Sequence, residues 1–147
     1  MFTNRRELYV EWGDCDPGGI IYFPRYFEYG DICTNQLLEK VGLHKPDMLK
    51  RFGGGGIPMV DAHARFFASS QFGETITIET GVSEWGKSSF TVLHKVWKGD
   101  ALSAEITEKR VWVVRMPGDP IRYKGAPIPQ EVRDRLSGKF PRPTTDS

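Results

Sequence analysis

The chain has 147 residues, the length of one domain, and its apolar share of 39% is enough to bury a core. A charged share of 27% with a formal net charge of +1 fits a globular chain and supplies no general field to gather nucleic acid or anionic membrane, so neither partner is expected. Two cysteines, Cys15 and Cys33, argue against a disulfide framework, and no run nears the roughly 18 apolar residues of a membrane span, so a reducing, cytoplasmic setting is expected.

In chain order, Arg6 to Glu11 reads as a short strand, with Leu8 and Val10 alternating against polar neighbours. A polar, glycine-rich turn follows, Asp14-Cys15-Asp16-Pro17-Gly18-Gly19. Pro24 suits the first turn of a helix, where its missing N–H costs nothing, and Gly42 is placed to end that helix near Val41. Phe27, Thr34, Leu37, Leu38 and Val41 recur at helical spacing, and Tyr26, Tyr29 and Ile32 extend the apolar surface, which predicts an embedded helix. His44 to Phe52 reads as a second, short helical piece, broken by the glycines 53–56, which read as a flexible loop near a pocket mouth.

Beyond the glycines the period changes to two. Ile76, Ile78, Thr80 and Val82 alternate with polar residues, as do Phe90, Val92, His94 and Val96, and a further run extends from about Ala101 to Val113. Lys98-Gly99-Asp100 is a tight turn between two antiparallel strands. One strand, a long helix and then four long strands is an α+β order. The helix covers one sheet face, and the other face is expected to need a partner subunit. From about residue 120 the chain reads as a peripheral C-terminal extension of a single domain, 1–147, with a short helix at Pro129 to Leu136. Six basic residues against two acidic ones from Arg122 to Arg142 read as a solvated surface that could touch phosphates.

The turn before the long helix carries the chemistry. Carboxylates stand beside a helix N-terminus whose free N–H groups carry partial positive charge, and Gly18 and Gly19 let a substrate approach the backbone. An electrophilic carbonyl would fit between the two, as acyl transfer requires. The plain alternative is that Asp14 and Asp16 only cap the helix.

Gly13, Asp14, Cys15, Asp16, Pro17, Gly19, Ile20, Tyr22, Phe23, Pro24 and Tyr26 together resemble the signature of the 4-hydroxybenzoyl-CoA thioesterase family, and Thr77-Ile78-Glu79-Thr80 with Glu84-Trp85 through Phe90 resembles its second conserved stretch. The resemblance covers most of the chain to about Arg115. It implies the hotdog fold, a long helix wrapped by an antiparallel sheet of about five strands, self-associated as a dimer or tetramer. It also implies hydrolysis of an acyl-CoA thioester without a cofactor. Asp16 would be the nucleophile or general base, and the backbone N–H of Phe23, with Tyr22 adjacent, would polarise the carbonyl. Family members acting on short aliphatic thioesters often carry histidine where Phe23 stands, so an aryl-CoA is the expected substrate. A short-chain aliphatic thioesterase and a non-catalytic acyl-CoA-binding module are the alternatives. Lys87, Ser88 and Ser89 fall where the family binds coenzyme A, with one expected cation missing. Gly19 gives backbone access, Asp31 could meet the far end of an aryl group, and His63 could line the pocket.

Competing motifs fail on spacing. Asp14, Asp16 and Gly19 mimic half of a calcium loop, but Arg25 stands where a bidentate glutamate is needed. His44, His63 and His94 supply neither a base for Cys15 nor zinc-ligand spacing, so no metal is expected. The glycine run lacks the Lys-Ser/Thr ending of a phosphate loop.

Overall fold

A computed structural model describes residues 1–140. Seven strands and three helices follow the order β1 (Thr3–Tyr9), α1 (Pro24–Lys40), α2 (Lys45–Arg51), β2 (Met59–Phe66), β3 (Thr75–Trp85), β4 (Ser89–Lys98), β5 (Ala101–Val111), β6 (Val113–Arg115), β7 (Tyr123–Gly125) and α3 (Gln130–Leu136). The main sheet is five-stranded and antiparallel in the order β1-β3-β4-β5-β2, with α1 against one face, which is the hotdog arrangement. None of the described helices is long and apolar enough to cross a membrane.

Helix α1 starts at Pro24, and Gly42 follows it at φ +79, a left-handed stop open to glycine. Its buried face is Tyr26, Tyr29, Gly30, Cys33, Thr34, Leu37 and Leu38. Ile32 is 43% exposed, so the apolar surface reaches less far round than the composition predicts, and the helix lies on the sheet with one side open. Inward residues Ile76, Ile78, Val92, Val96, Ala104 and Ile106 form the floor beneath it.

Strand β1 begins and ends earlier than its apolar alternation predicts. Polar Thr3, Asn4 and Arg5 pair with Gly81, Thr80 and Glu79, so backbone pairing extends the strand where side-chain pattern gives no signal. The β6–β7 hairpin has no counterpart in the sequence reading. The segment expected at the periphery contributes to the core instead, with Ile128, Val132 and Leu136 buried under the C-terminal end of α1. Within the basic run, Arg135 donates to the Val41 carbonyl (2.9 Å) and Arg133 lies over the Trp85 ring (5.3 Å), while Arg142 lies outside the described residues.

The glycine run is packed against β6. A Cβ on Gly55 would fall 1.8 Å from the Val113 carbonyl oxygen, and Gly56 pairs with Val113, so glycine is required by close backbone approach and not by flexibility. On the sheet face away from α1, register sets Arg5, Glu79, Lys95, Glu105 and Arg65 side by side, one on each strand. That is the face expected to need a partner subunit, and this row gives it alternating charges.

The sheet ends on two free edges, β1 and β2, and β2 carries exposed apolar side chains. Val60 (59%) and Phe66 (48%) on it are exposed, as is Phe67 (56%) just beyond.

Candidate active site

The turn ahead of α1 is a miniature hairpin. Cys15 pairs with Ile21, the Asp16 N–H donates to the Ile20 carbonyl (2.9 Å), and the Tyr22 N–H donates to the Asp14 carbonyl (2.8 Å). Gly19 closes it at φ +79, donating its N–H to the Asp16 carbonyl. Gln71 and Phe72 bind the hairpin from the other side through Ile20 and Gly19. A rigid two-sided ladder therefore fixes the backbone of Asp16.

The two aspartates separate by role. Asp14 accepts the Glu11 N–H (3.0 Å) and stands 3.8 Å from the Arg25 guanidinium, so its carboxylate is committed to the 3-10 turn at Trp12–Asp14 and to the first turn of α1. Asp16 uses only Oδ1, which accepts the Gly18 N–H at 2.8 Å. Its Oδ2 accepts no hydrogen bond from the described residues.

The helix start offers one donor, where the sequence suggested several. Pro24 carries no N–H, that of Tyr22 goes to Asp14, that of Arg25 to the Tyr22 carbonyl and that of Tyr26 to the Phe23 carbonyl. The Phe23 N–H alone has no backbone acceptor among the described residues. Its ring, like that of Tyr22, is more than half exposed, and the two rings lie 5.7 Å apart.

Beside Phe23 lies a cavity of about 290 Å³, lined by Ile20, Tyr26, Phe66, Phe67 and Ser70 among others. Asp16 is not in that lining, but its N–H bonds Ile20, which is. Phe66 packs on Tyr26 with ring centroids 5.0 Å apart, and burial pushes the Tyr26 phenol above its ordinary pKa. Burial, then the charges of Asp14 and Asp16, likewise push the Cys15 thiol up, the wrong direction for a thiolate nucleophile.

Asp16, Gly19, Tyr22 and Phe23 thus gather at one end of the molecule. The other candidates do not join them within one protomer. Lys87 and Ser88 lie in the β3–β4 turn and Ser89 opens β4, at the far end of an eleven-residue strand that spans about 35 Å. The carbonyls of Lys87 and Ser88 are held by Ile128 and Trp112. His63 pairs in register with Thr107, which places it on the sheet face away from α1, 3.7 Å from Asp61. Asp31 stands two turns along α1 and is bonded to Arg110 at 2.8 Å.

Sequence reasoning missed a buried polar seam between α1 and the sheet. His94, Glu108 and Arg110 are each at most 3% exposed. Glu108 Oε1 accepts from Thr34 (2.7 Å) and from Arg110 Nε (3.0 Å) and lies 3.3 Å from His94 Nε2, while Thr80 bonds His94 Nδ1 at 2.7 Å. The signal was present in strand parity, because Glu108 and Arg110 continue the inward series that begins at Ala104 and Ile106.

A family model described as the thioesterase-like superfamily matches residues 10–136. The 4-hydroxybenzoyl-CoA thioesterase of Pseudomonas sp. strain CBS-3 is 36% identical over 89 residues, a match spanning 59% of this chain and 62% of that protein, less than two thirds of its length. Among solved structures, an aspartate-to-asparagine mutant of 4-hydroxybenzoyl-CoA thioesterase complexed with 4-hydroxybenzoyl-CoA is similar with a TM-score of 0.82 and 26% identity, covering 91% of this chain and 98% of that one. A gentisyl-coenzyme A thioesterase is similar with a TM-score of 0.75 and 26% identity, covering 91% and 99%. With a family model spanning most of its length and these likenesses in fold, the chain belongs to the thioesterase-like superfamily.

Proposed function

We propose that the chain hydrolyses an acyl-CoA thioester with an aromatic acyl group, releasing the free carboxylic acid and coenzyme A. The observation that carries this reading is a free acceptor, Asp16 Oδ2, and a free donor, the Phe23 N–H, in the one turn ahead of α1, with an apolar cavity rimmed by aromatic rings beside Phe23.

In this reading the thioester carbonyl oxygen accepts the Phe23 N–H. Asp16 either attacks the carbonyl carbon or takes a proton from a water that does. Negative charge grows on the carbonyl oxygen, where the amide dipole opposes it; one such donor is worth about 3–4 kcal/mol. The C–S bond then breaks, and the thiolate leaves with a proton as coenzyme A. In the nucleophilic version water afterwards opens the acyl–Asp16 anhydride.

The reading includes self-association through β2. Its Met59 end lies with Pro58 and Val111 beside the start of β4, while its Phe66 end lies beside Tyr26. Antiparallel pairing of two β2 edges about a two-fold axis would set the partner's β3–β4 turn at the same end as this protomer's Asp16. Lys87, Ser88 and Ser89 of one copy would then serve the nucleotide of coenzyme A bound to the other.

Thiol release from a panel of aryl- and alkyl-CoA esters tests the proposal. Aryl-selective release is the expected result. Alkyl-selective release would make it an aliphatic thioesterase, and no release with retained binding would make it an acyl-CoA sensor.

A further inference from the structure

The cavity beside Phe23 is walled mostly by Ile20, Ile21, Phe66, Phe67 and Ala68, and the polar side chains in its lining are Tyr26, Ser69 and Ser70. Ser69 is exposed, whereas Ser70 is fully buried. The Ser70 Oγ neither gives nor receives a hydrogen bond among the described residues. It stands near the Tyr26 phenol: burial pushes the pKa of that phenol up and Ser70 draws it part of the way back, although no hydrogen bond joins the two.

The backbone around Ser70 is fixed. The Ile21 N–H donates to the Ser70 carbonyl (2.9 Å), and Ile20 pairs with Gln71. Lys98 Nζ donates to the Ser69 carbonyl (2.8 Å) and pairs with Glu74 (3.0 Å), which accepts the Gln71 N–H (2.7 Å). Ile21 lies two residues before Phe23, so one ladder ties Ser70 to the N–H that the proposed carbonyl uses. Only the hydroxyl itself is unheld, free to turn about its own Cα–Cβ bond.

A buried hydroxyl without a partner has lost its bonds to water and gained nothing in return, so it calls for an explanation. The cavity offers one. Its volume of about 290 Å³ exceeds the roughly 150 Å³ that holds a benzene ring, which leaves room for a substituent. No charged side chain is in its lining, so a carboxylate or ammonium would enter unpaired, and a neutral group suits it better.

We propose that Ser70 is a specificity-determining residue whose hydroxyl pairs with a neutral hydroxyl on the ring of an acyl group entering this cavity. The inference rests on the thioesterase reading above. With Ser70 present, the ring hydroxyl exchanges water for a protein partner. Without it, the same hydroxyl is buried unpaired and its thioester is disfavoured, while an unsubstituted ring loses no partner.

The test measures kcat/KM of the full-length wild type and Ser70→Ala for benzoyl-CoA and its 2-, 3- and 4-hydroxy derivatives. Each hydroxylated thioester is read as a ratio to benzoyl-CoA, so a general loss of activity cancels. For the isomer whose hydroxyl meets Ser70, the ratio is expected to fall at least about tenfold in Ser70→Ala. The urea midpoint of Ser70→Ala is expected to match or exceed that of wild type, because no hydrogen bond of the fold is removed. Ratios that stay at wild-type values for every isomer overturn this inference alone. An equal fall for all three does so too, since one oxygen on a fixed backbone cannot meet three ring positions. A lowered midpoint would show that Ser70 serves the fold, with the same result. A wild type that hydrolyses none of the four overturns the aromatic thioesterase reading and this inference with it.

Discussion

Gly30 faces Glu108 across the boundary between α1 and the sheet: a Cβ on residue 30 would stand 2.9 Å from Glu108 Oε2 and 3.3 Å from His94 Nε2. Glycine inside a helix costs about 1 kcal/mol relative to alanine, so this position gives up helix stability for contact with a buried carboxylate. Gly30→Ala is expected to lower stability by about 1–3 kcal/mol through overpacking, read from the urea midpoint. A midpoint that rises, as it would at an exposed helical glycine, would show that the seam has slack.

Acid should loosen the same seam. Burial pushes the Glu108 carboxyl up, but the hydrogen bond and charge of His94, the charge of Arg110 and the Thr34 hydroxyl outweigh it and hold it at about 2, below its ordinary 4.5. A depressed carboxyl stabilises the fold fully above its ordinary value and loses that contribution as pH falls toward 2. The difference is on the order of 3 kcal/mol. Urea unfolding of wild type and Glu108→Gln should therefore differ by a constant amount from neutral pH down to about 5, then converge below it. Parallel curves through the acid range would mean that Glu108 does not carry the acid sensitivity.

The two motif aspartates should give opposite phenotypes. Asp14→Ala removes the acceptor of the Glu11 N–H and is expected to cost about 1 kcal/mol of stability. Asp16→Asn keeps an oxygen for the Gly18 N–H, so its stability should stay within about 0.5 kcal/mol of wild type while most turnover is lost and coenzyme A affinity is kept. Near wild-type turnover in Asp16→Asn would end the assignment.

Phe23 can be tested at the backbone. Its φ of −53 suits proline, so Phe23→Pro deletes the N–H with little demand on its own conformation. Turnover is expected to fall about 100- to 1000-fold, whereas Phe23→Leu, which keeps the amide, should retain most of it. Equal activity in two equally stable variants would remove the Phe23 amide from the mechanism.

Val60 sits at an irregularity in the exposed edge strand, between Met59 and Asp61, and is 59% exposed. Lysine is a common guard of free edges, so if two copies pair through β2 as proposed, Val60→Lys is expected to halve the sedimenting mass and to lower activity with it. An unchanged mass would end the proposed pairing through β2.

Much of this molecule is legible in its residues because its signals are local. Pro24 and Gly42 bracket α1, and the alternation from Ile76 to Val82 and from Phe90 to Val96 announces β3 and β4. The turn from Asp14 to Gly19 is legible because proline and adjacent glycines leave few backbone choices, although its pairing of Cys15 with Ile21 is not. What sequence conceals is pairing at a distance. Thr3 to Arg5 become strand only because β3 is there to receive them. The run from Gly53 to Gly56 looks flexible until the Val113 carbonyl is brought against it. His63 looks available to a pocket until strand register turns it to the other face. Arg110 and Asp31 are 79 positions apart, and no local pattern links them.

The row Arg5, Glu79, Lys95, Glu105 and Arg65 reads plus, minus, plus, minus, plus, the same from either side. Two such faces stacked in register set like against like at every step, and only a slip of one strand brings opposite signs together. That slip strands a charge at each border. Endless face-to-face piling of sheets, the habit of fibrils, is thus disfavoured by the sign symmetry of one row.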